Sequence, residues 1–166
     1  MLFSPFSQEM SMHHTTIRLC TAADAKVVGE LVCALIHELN PDSPTSPADF
    51  ISRAQLALAH PTYAAYLLSQ DEETVGLISL NECCSTYAGG VFGEITEFYV
   101  RPQFRSRQYG EQLLAHAKAI AHSNNWREIE VGAPAFPRWS RTIAFYKNNG
   151  FKEIGPRLSL VLSAEP

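Results

Sequence analysis

The sequence predicts an α/β (α+β) domain with its elements in the order βααβββαβαβ, and three observations carry that expectation. Glu94–Leu114, EITEFYVRPQFRSRQYGEQLL, passes from a run of β-branched and aromatic residues through a basic turn into helical spacing. Two helix starts in the N-terminal third carry capping signals. Tyr63–Asn81 holds two apolar runs joined by a short polar turn, the pattern of an antiparallel hairpin.

Residues 1–14 lack periodicity and are expected to form a flexible leader, which leaves 15–166 as a single domain. Ile17–Cys20 is the first expected strand. Thr21 and Asp24 then stand as a capping box, and Val28, Leu31, Val32, Leu35 and Leu39 share one helical face until Asn40-Pro41 ends it. After the stiff loop Pro41–Pro47 a second helix begins, with Ser46 as cap, Pro47 at the first position and Asp49 in the first turn. Phe50, Ala54 and Leu58 form its apolar face, closed by His60-Pro61.

Tyr63–Ser69 and Thr74–Asn81 form the hairpin, turned at Gln70–Glu73, with Gly76 marking a bulge or a close backbone approach. The strand Glu94–Val100 stops at Arg101-Pro102, and Tyr109, Leu113, Leu114, Ala117, Ile120 and Ala121 line the helix after it. Arg127–Gly132 reads as a strand, and Thr142, Ile143, Tyr146 and Asn149 as a last helix closed by Gly150. Phe151–Ile154 and Leu158–Leu162 are expected to end the chain as β structure.

At 166 residues the chain can bury one proper core. A formal charge of −4 argues against general nucleic-acid binding, which needs a broad basic surface. No apolar run is long enough to span a bilayer and the N-terminus lacks a signal peptide's basic and apolar regions, so no membrane partner is expected and the cytoplasm is the default location. Cys20, Cys33, Cys83 and Cys84 lack metal-type spacing, and His13-His14 sits in a terminal segment, so no metal is assigned. Against this acidic background Arg101, Arg105 and Arg107 crowd one turn ahead of a helix N-terminus, where unpaired N–H groups favour an anion such as phosphate.

The element order, together with VRPQFRSRQYGEQLL and FYKNNGF, resembles the GCN5-related N-acetyltransferases over about Thr15 to Leu162. The resemblance implies a mixed, mostly antiparallel sheet flanked by helices, and acetyl-CoA as the acetyl donor. It implies that backbone amides of Arg105, Ser106, Arg107, Gln108, Tyr109 and Gly110 hold the pyrophosphate, and that backbone groups of Phe98, Tyr99 and Val100 bind the pantetheine arm. Two positions depart from the family pattern. Gln108 stands where the first glycine of the turn is expected, and a Cβ there would be strained at positive φ. Trp139 stands where many relatives carry a cofactor-contacting asparagine.

Acetyl transfer to an amine needs a neutral nitrogen, a polarised carbonyl and a proton for the departing thiolate. Tyr146 aligns with the tyrosine that often serves as general acid in the family. Glu97, two residues from Tyr99 on the central strand, is the candidate base, directly or through water. Glu94 has the opposite parity and faces the same cleft only if a bulge intervenes. His37, His116 and His122 pair with no nucleophile in the sequence and are expected to be structural or exposed. The acceptor amine is expected between Pro41–Pro47, the Cys83–Gly90 loop and Ala133–Arg138, where Asp42 and Glu82 favour a cation and Arg138 and Arg141 an acidic substrate. An N-acetyltransferase is thus the first reading; a non-catalytic acyl-CoA-binding module and a protein-interaction domain are the others. Folds of this type commonly dimerise through their C-terminal β region, so the resemblance also allows a homodimer.

Overall fold

The computed structural model describes residues 14–134 and 137–160, so the expected leader lies almost wholly outside the described residues. In chain order the elements are β1 (Thr15–Leu19), α1 (Ala25–Leu39), α2 (Pro47–Leu58), β2 (Tyr63–Gln70), β3 (Glu73–Ser85), β4 (Gly90–Val100), α3 (Tyr109–Ser123), β5 (Ile129–Val131) and α4 (Ser140–Asn148).

Both capping signals are realised. The Asp24 carboxylate accepts from the Thr21 amide at 2.7 Å and takes two bonds from the Arg18 guanidinium, at 2.6 and 2.9 Å, across a single 3-10 turn that precedes α1. At α2, Ser46 and Asp49 exchange bonds, the Asp49 amide reaching Ser46 Oγ at 3.3 Å and the Ser46 amide reaching Asp49 Oδ2 at 2.8 Å. The two helices nearly touch where Gly29 meets α2: a Cβ at Gly29 would lie 2.6 Å from the Ile51 backbone. Glycine is therefore a packing requirement here.

The strands lie side by side in sequence order, antiparallel except for the parallel pair β4 and β5. The β2–β3 hairpin turns on Asp71 and Glu72, both at left-handed φ (47° and 70°), which matches the twist of a two-residue turn. Val75 is an extra residue in β3, since Leu68 faces Gly76 while Ser69 faces Thr74. Gly76 also meets the second expectation for it, because a Cβ there would sit 3.0 Å from the Tyr99 carbonyl oxygen. α3 covers one face of the sheet, burying Leu113, Leu114 and Ala117 against Ile78, Leu80 and Ile95. α1 and α2 cover the other, burying Val28, Leu31 and Ala54 against Leu67 and Leu77. Each of these leucines is worth about 2 kcal/mol of burial, so both layers are needed to hold the sheet.

The C-terminal expectation is corrected. Phe151–Ile154 and the described part of Leu158–Leu162 form no strand, and Ile154, Leu158 and Leu160 are 76%, 90% and 84% exposed. Pro156 lacks a backbone donor and Gly155 sits at φ 140°, which interrupts any regular ladder at this point. β5 is also shorter than the expected Arg127–Gly132.

Candidate active site

β4 and β5 pair only over Gly93–Ile95 with Ile129–Val131, whereas β4 runs on to Val100. Its last five residues therefore carry an edge that β5 does not cover. Backbone groups alternate in direction along an antiparallel strand. The Arg101 amide bonds Val75 on β3 at 2.9 Å and the Tyr99 carbonyl lies against Gly76, so both point toward β3. Phe98 and Val100 then present their backbone groups to the open edge. The Val100 carbonyl already accepts from Arg105 Nε at 2.8 Å. Of the three residues expected to line this edge, Tyr99 is turned inward.

At the end of that edge the chain enters the turn before α3. Ser106 and Gln108 both adopt left-handed φ, 62° and 63°, with Gln108 as the N-cap of α3. Left-handed residues flanking an ordinary one curl successive amides into a concavity suited to an anion, and the first turn of α3 adds N–H groups without in-helix partners. A backbone of this shape is of the kind that accommodates an anion. The strained conformation feared for Gln108 is the one it adopts, at a cost of roughly 1 kcal/mol.

The arginine side chains are a different matter. Arg105 turns away into a two-point ion pair with Glu38 on α1, at 2.8 and 2.7 Å, with its guanidinium 5.4 Å above the Tyr99 ring. Arg101 bonds the Thr74 carbonyl at 2.9 Å. Arg107 stacks over Phe104, 5.7 Å from the ring centre. Each of the three arginine side chains thus has a partner within the protein. Tyr109 is likewise a core anchor, buried against Phe104 with its hydroxyl on Gln70, so only its amide is free to serve a ligand. Gly110 lets the Phe145 ring approach the start of α3, 3.4 Å from where a Cβ would be.

Glu97 lies opposite Ser79 and Ile95 opposite Leu80, which makes Thr96 an extra residue in β4. This bulge supplies the condition under which Glu94 and Glu97 share a face, since their partners Asn81 and Ser79 are two apart on β3. Glu97 Oε2 accepts from Tyr63 Oη at 3.0 Å, from Thr96 Oγ1 at 2.7 Å and from Ser79 Oγ. Burial, and then the charge of Glu97, hold the Tyr63 phenol well above its ordinary pKa, so it remains a donor. Glu94 instead pairs with Arg157 of the C-terminal segment.

Tyr146, on α4, is buried beside Phe98, Phe145 and Phe151, with ring centres 6.1, 5.5 and 5.3 Å away. Burial raises its pKa far above the usual tyrosine value, so the phenol keeps its proton. It borders a cavity of about 900 Å³ that also reaches Glu94, Val131 and Arg157. Tyr146 and Glu97 do not touch among the contacts of the described residues. Glu97 projects toward the α1–α2 side, Tyr146 packs on Phe98, and the open edge of β4 runs between them. Trp139 caps α4, covered by Arg138 at 5.4 Å, whose Nη2 also reaches the Glu38 carbonyl at 3.4 Å.

Sequence reasoning missed Glu38, Tyr63, Ser79 and Thr96. Tyr63 and Ser79 lie on two different strands and meet Glu97 only through sheet register, which no local motif records. His116 proves structural, its ring edge-on to Tyr66 at 4.6 Å and its pKa lowered by burial.

The acetyltransferase (GNAT) domain family matches residues 61–153, more than half of the chain. No curated protein matches significantly. Among solved structures the chain resembles a ribosomal-protein-alanine N-acetyltransferase from Brucella melitensis biovar Abortus 2308, at 19% identity and TM-score 0.72, covering 90% of this chain and all of that one. It also resembles a predicted acetyltransferase with acetyl-CoA from Clostridium acetobutylicum (16%, TM-score 0.73, 89% and 96% covered) and an aminoglycoside acetyltransferase from an uncultured soil sample (17%, TM-score 0.72, 90% and 99%). At such identities the likeness establishes the fold, and the family match adds the class: the chain belongs to the GNAT acetyltransferases and is an acetyl-CoA-dependent N-acetyltransferase.

Proposed function

We propose that the protein acetylates a primary amine by direct attack in a ternary complex, with Glu97 as base and Tyr146 as acid. The observation that carries this reading is the uncovered edge of β4, with a carboxylate on one side and a protonated phenol on the other. Acetyl-CoA supplies an activated acyl thioester. Amides of the turn Arg105–Gly110 would hold its pyrophosphate, and Phe98 and Val100 would align its arm along the edge. Glu97 takes a proton from the acceptor's ammonium and later releases it to solvent, and the freed nitrogen lone pair bonds to the thioester carbonyl carbon. Tyr146 gives its proton to the sulfur as the carbon–sulfur bond breaks, and recovers one from the nitrogen side through solvent.

Two of the fold relatives are named for an aminoglycoside and for a ribosomal protein's alanine, so both small polyamines and peptide N-termini belong among the acceptors to be tried. The deciding experiment is release of free thiol from acetyl-CoA with spermidine, kanamycin and an alanyl peptide. At least one acceptor should give turnover that falls by about 100-fold in Glu97→Gln and in Tyr146→Phe. Binding of acetyl-CoA without thiol release from any amine would instead make the protein an acyl-CoA-binding module.

A further inference from the structure

The Glu97 carboxylate is held from three strands at one oxygen. Tyr63 of β2, Ser79 of β3 and Thr96 of β4 all direct hydroxyls at Oε2. No hydrogen bond from the described residues reaches Oε1. Ser79 is completely buried, the one fully buried polar side chain of the described core, and its Oγ also accepts from the Glu97 amide at 3.1 Å. It thus grips both the backbone and the side chain of the same glutamate. Thr96 is present at this point only because β4 carries an extra residue, and its Oγ1 lies 3.1 Å from Ser79 Oγ. Bulge, buried serine and tyrosine therefore converge on a single carboxylate oxygen.

A glutamate has three side-chain torsions, and a base works only when a lone pair is aimed at the proton it removes. A carboxylate free to rotate about its last torsion would present either oxygen, in a broad range of directions. Hydroxyls on Oε2 remove that freedom and leave Oε1 as the proton-accepting atom. Burial of Ser79 makes its bond costly to break, because its hydroxyl would lose a partner out of reach of water; Tyr63 is half-buried and Thr96 is exposed.

We infer that Tyr63, Ser79 and Thr96 are positioning residues that fix Glu97 so that Oε1 faces the acceptor nitrogen. This rests on the reading of Glu97 as base. In this role the three hydroxyls act through the glutamate, to which each is bonded.

The test is a double-mutant cycle measured with the best acceptor among spermidine, kanamycin and an alanyl peptide. Tyr63→Phe and Thr96→Val should each lower kcat by about tenfold, with the KM for acetyl-CoA and the melting temperature nearly unchanged. Thr96→Ser, which keeps the hydroxyl, should restore the rate. In a Glu97→Gln background Tyr63→Phe should cost less than about twofold, because the group it acts through is gone. An equal loss in both backgrounds, or a fall in melting temperature with kcat intact, overturns the inference. If Glu97→Gln is slow and Tyr63→Phe is not, the positioning role fails while the base survives. A Glu97→Gln enzyme with wild-type kcat overturns the base and the positioning role together.

Discussion

Arg105 and Glu38 are joined at two points, 2.8 and 2.7 Å, although 67 residues separate them. The pair ties the C-terminal end of α1 to the turn before α3, and Arg105 Nε holds the Val100 carbonyl as well. Both side chains are more than a quarter exposed, so the pair adds only about 1 kcal/mol to stability. Its larger effect falls on the turn. Arg105→Ala should lower the melting temperature by roughly 2–4 °C and raise the KM for acetyl-CoA about fivefold. Glu38→Gln should do the same to a lesser degree. An unchanged KM in both variants would show that the turn holds its shape without them.

Gln108 occupies a left-handed backbone position that favours glycine. Gln108→Gly removes about 1 kcal/mol of strain, and the added freedom of the unfolded chain offsets a comparable amount. Stability should therefore stay within about 0.5 kcal/mol of wild type, while acetyl-CoA binds more tightly as the Cβ leaves the amide concavity. Titration calorimetry gives the answer directly. Weaker binding by the glycine variant would mean that the glutamine side chain itself contacts the ligand.

Tyr146 should keep its proton throughout the alkaline range, because burial raises its pKa above the usual tyrosine value. kcat should therefore show no downward limb attributable to this residue below about pH 10. Tyr146→Phe should lower kcat at every pH without introducing a new limb. A limb near pH 9 that disappears in Tyr146→Phe would place the phenol in water.

Asp24 is held below the ordinary aspartate pKa by its bond from Arg18 first and by Thr21 second. Its folded value lies below its unfolded one, so the ionised side chain stabilises the fold above the usual aspartate range, and that stability is lost as pH falls through the folded value. Asp24→Asn should cost about 1 kcal/mol at pH 7, comparable to loss of a cap. The gap should narrow as pH drops below about 4. A gap of constant size in urea melts at pH 7 and pH 3 would show that charge plays no part.

Local chemistry made much of this fold legible. Thr21 with Asp24 and Ser46 with Asp49 announce helix starts because each motif closes within four residues. The Gln70–Glu73 turn is legible for the same reason. The place of Tyr146 on the last helix was legible from the spacing of Thr142, Ile143, Tyr146 and Asn149. What stayed hidden depends on distant pairing. The Thr96 bulge exists only against β3, and so does the common face of Glu94 and Glu97 that follows from it. Arg105 reads as an anion ligand until Glu38 is brought to it. The alternation of Leu158 and Leu160 suggests a strand, but alternation specifies a face and not a partner, and Gly155-Pro156 interrupts the backbone just before it.

Of the protein's two tryptophans, Trp126 donates its Nε1 to Glu82 at 2.7 Å and lies half-buried across Gly93 of β4. Trp139 stands at the head of the helix that carries Tyr146. One indole thus reports on the sheet and the other on the start of α4. With Trp126→Phe, the remaining emission follows the start of α4; with Trp139→Phe, it follows the packing of the α3–β5 connection on the sheet.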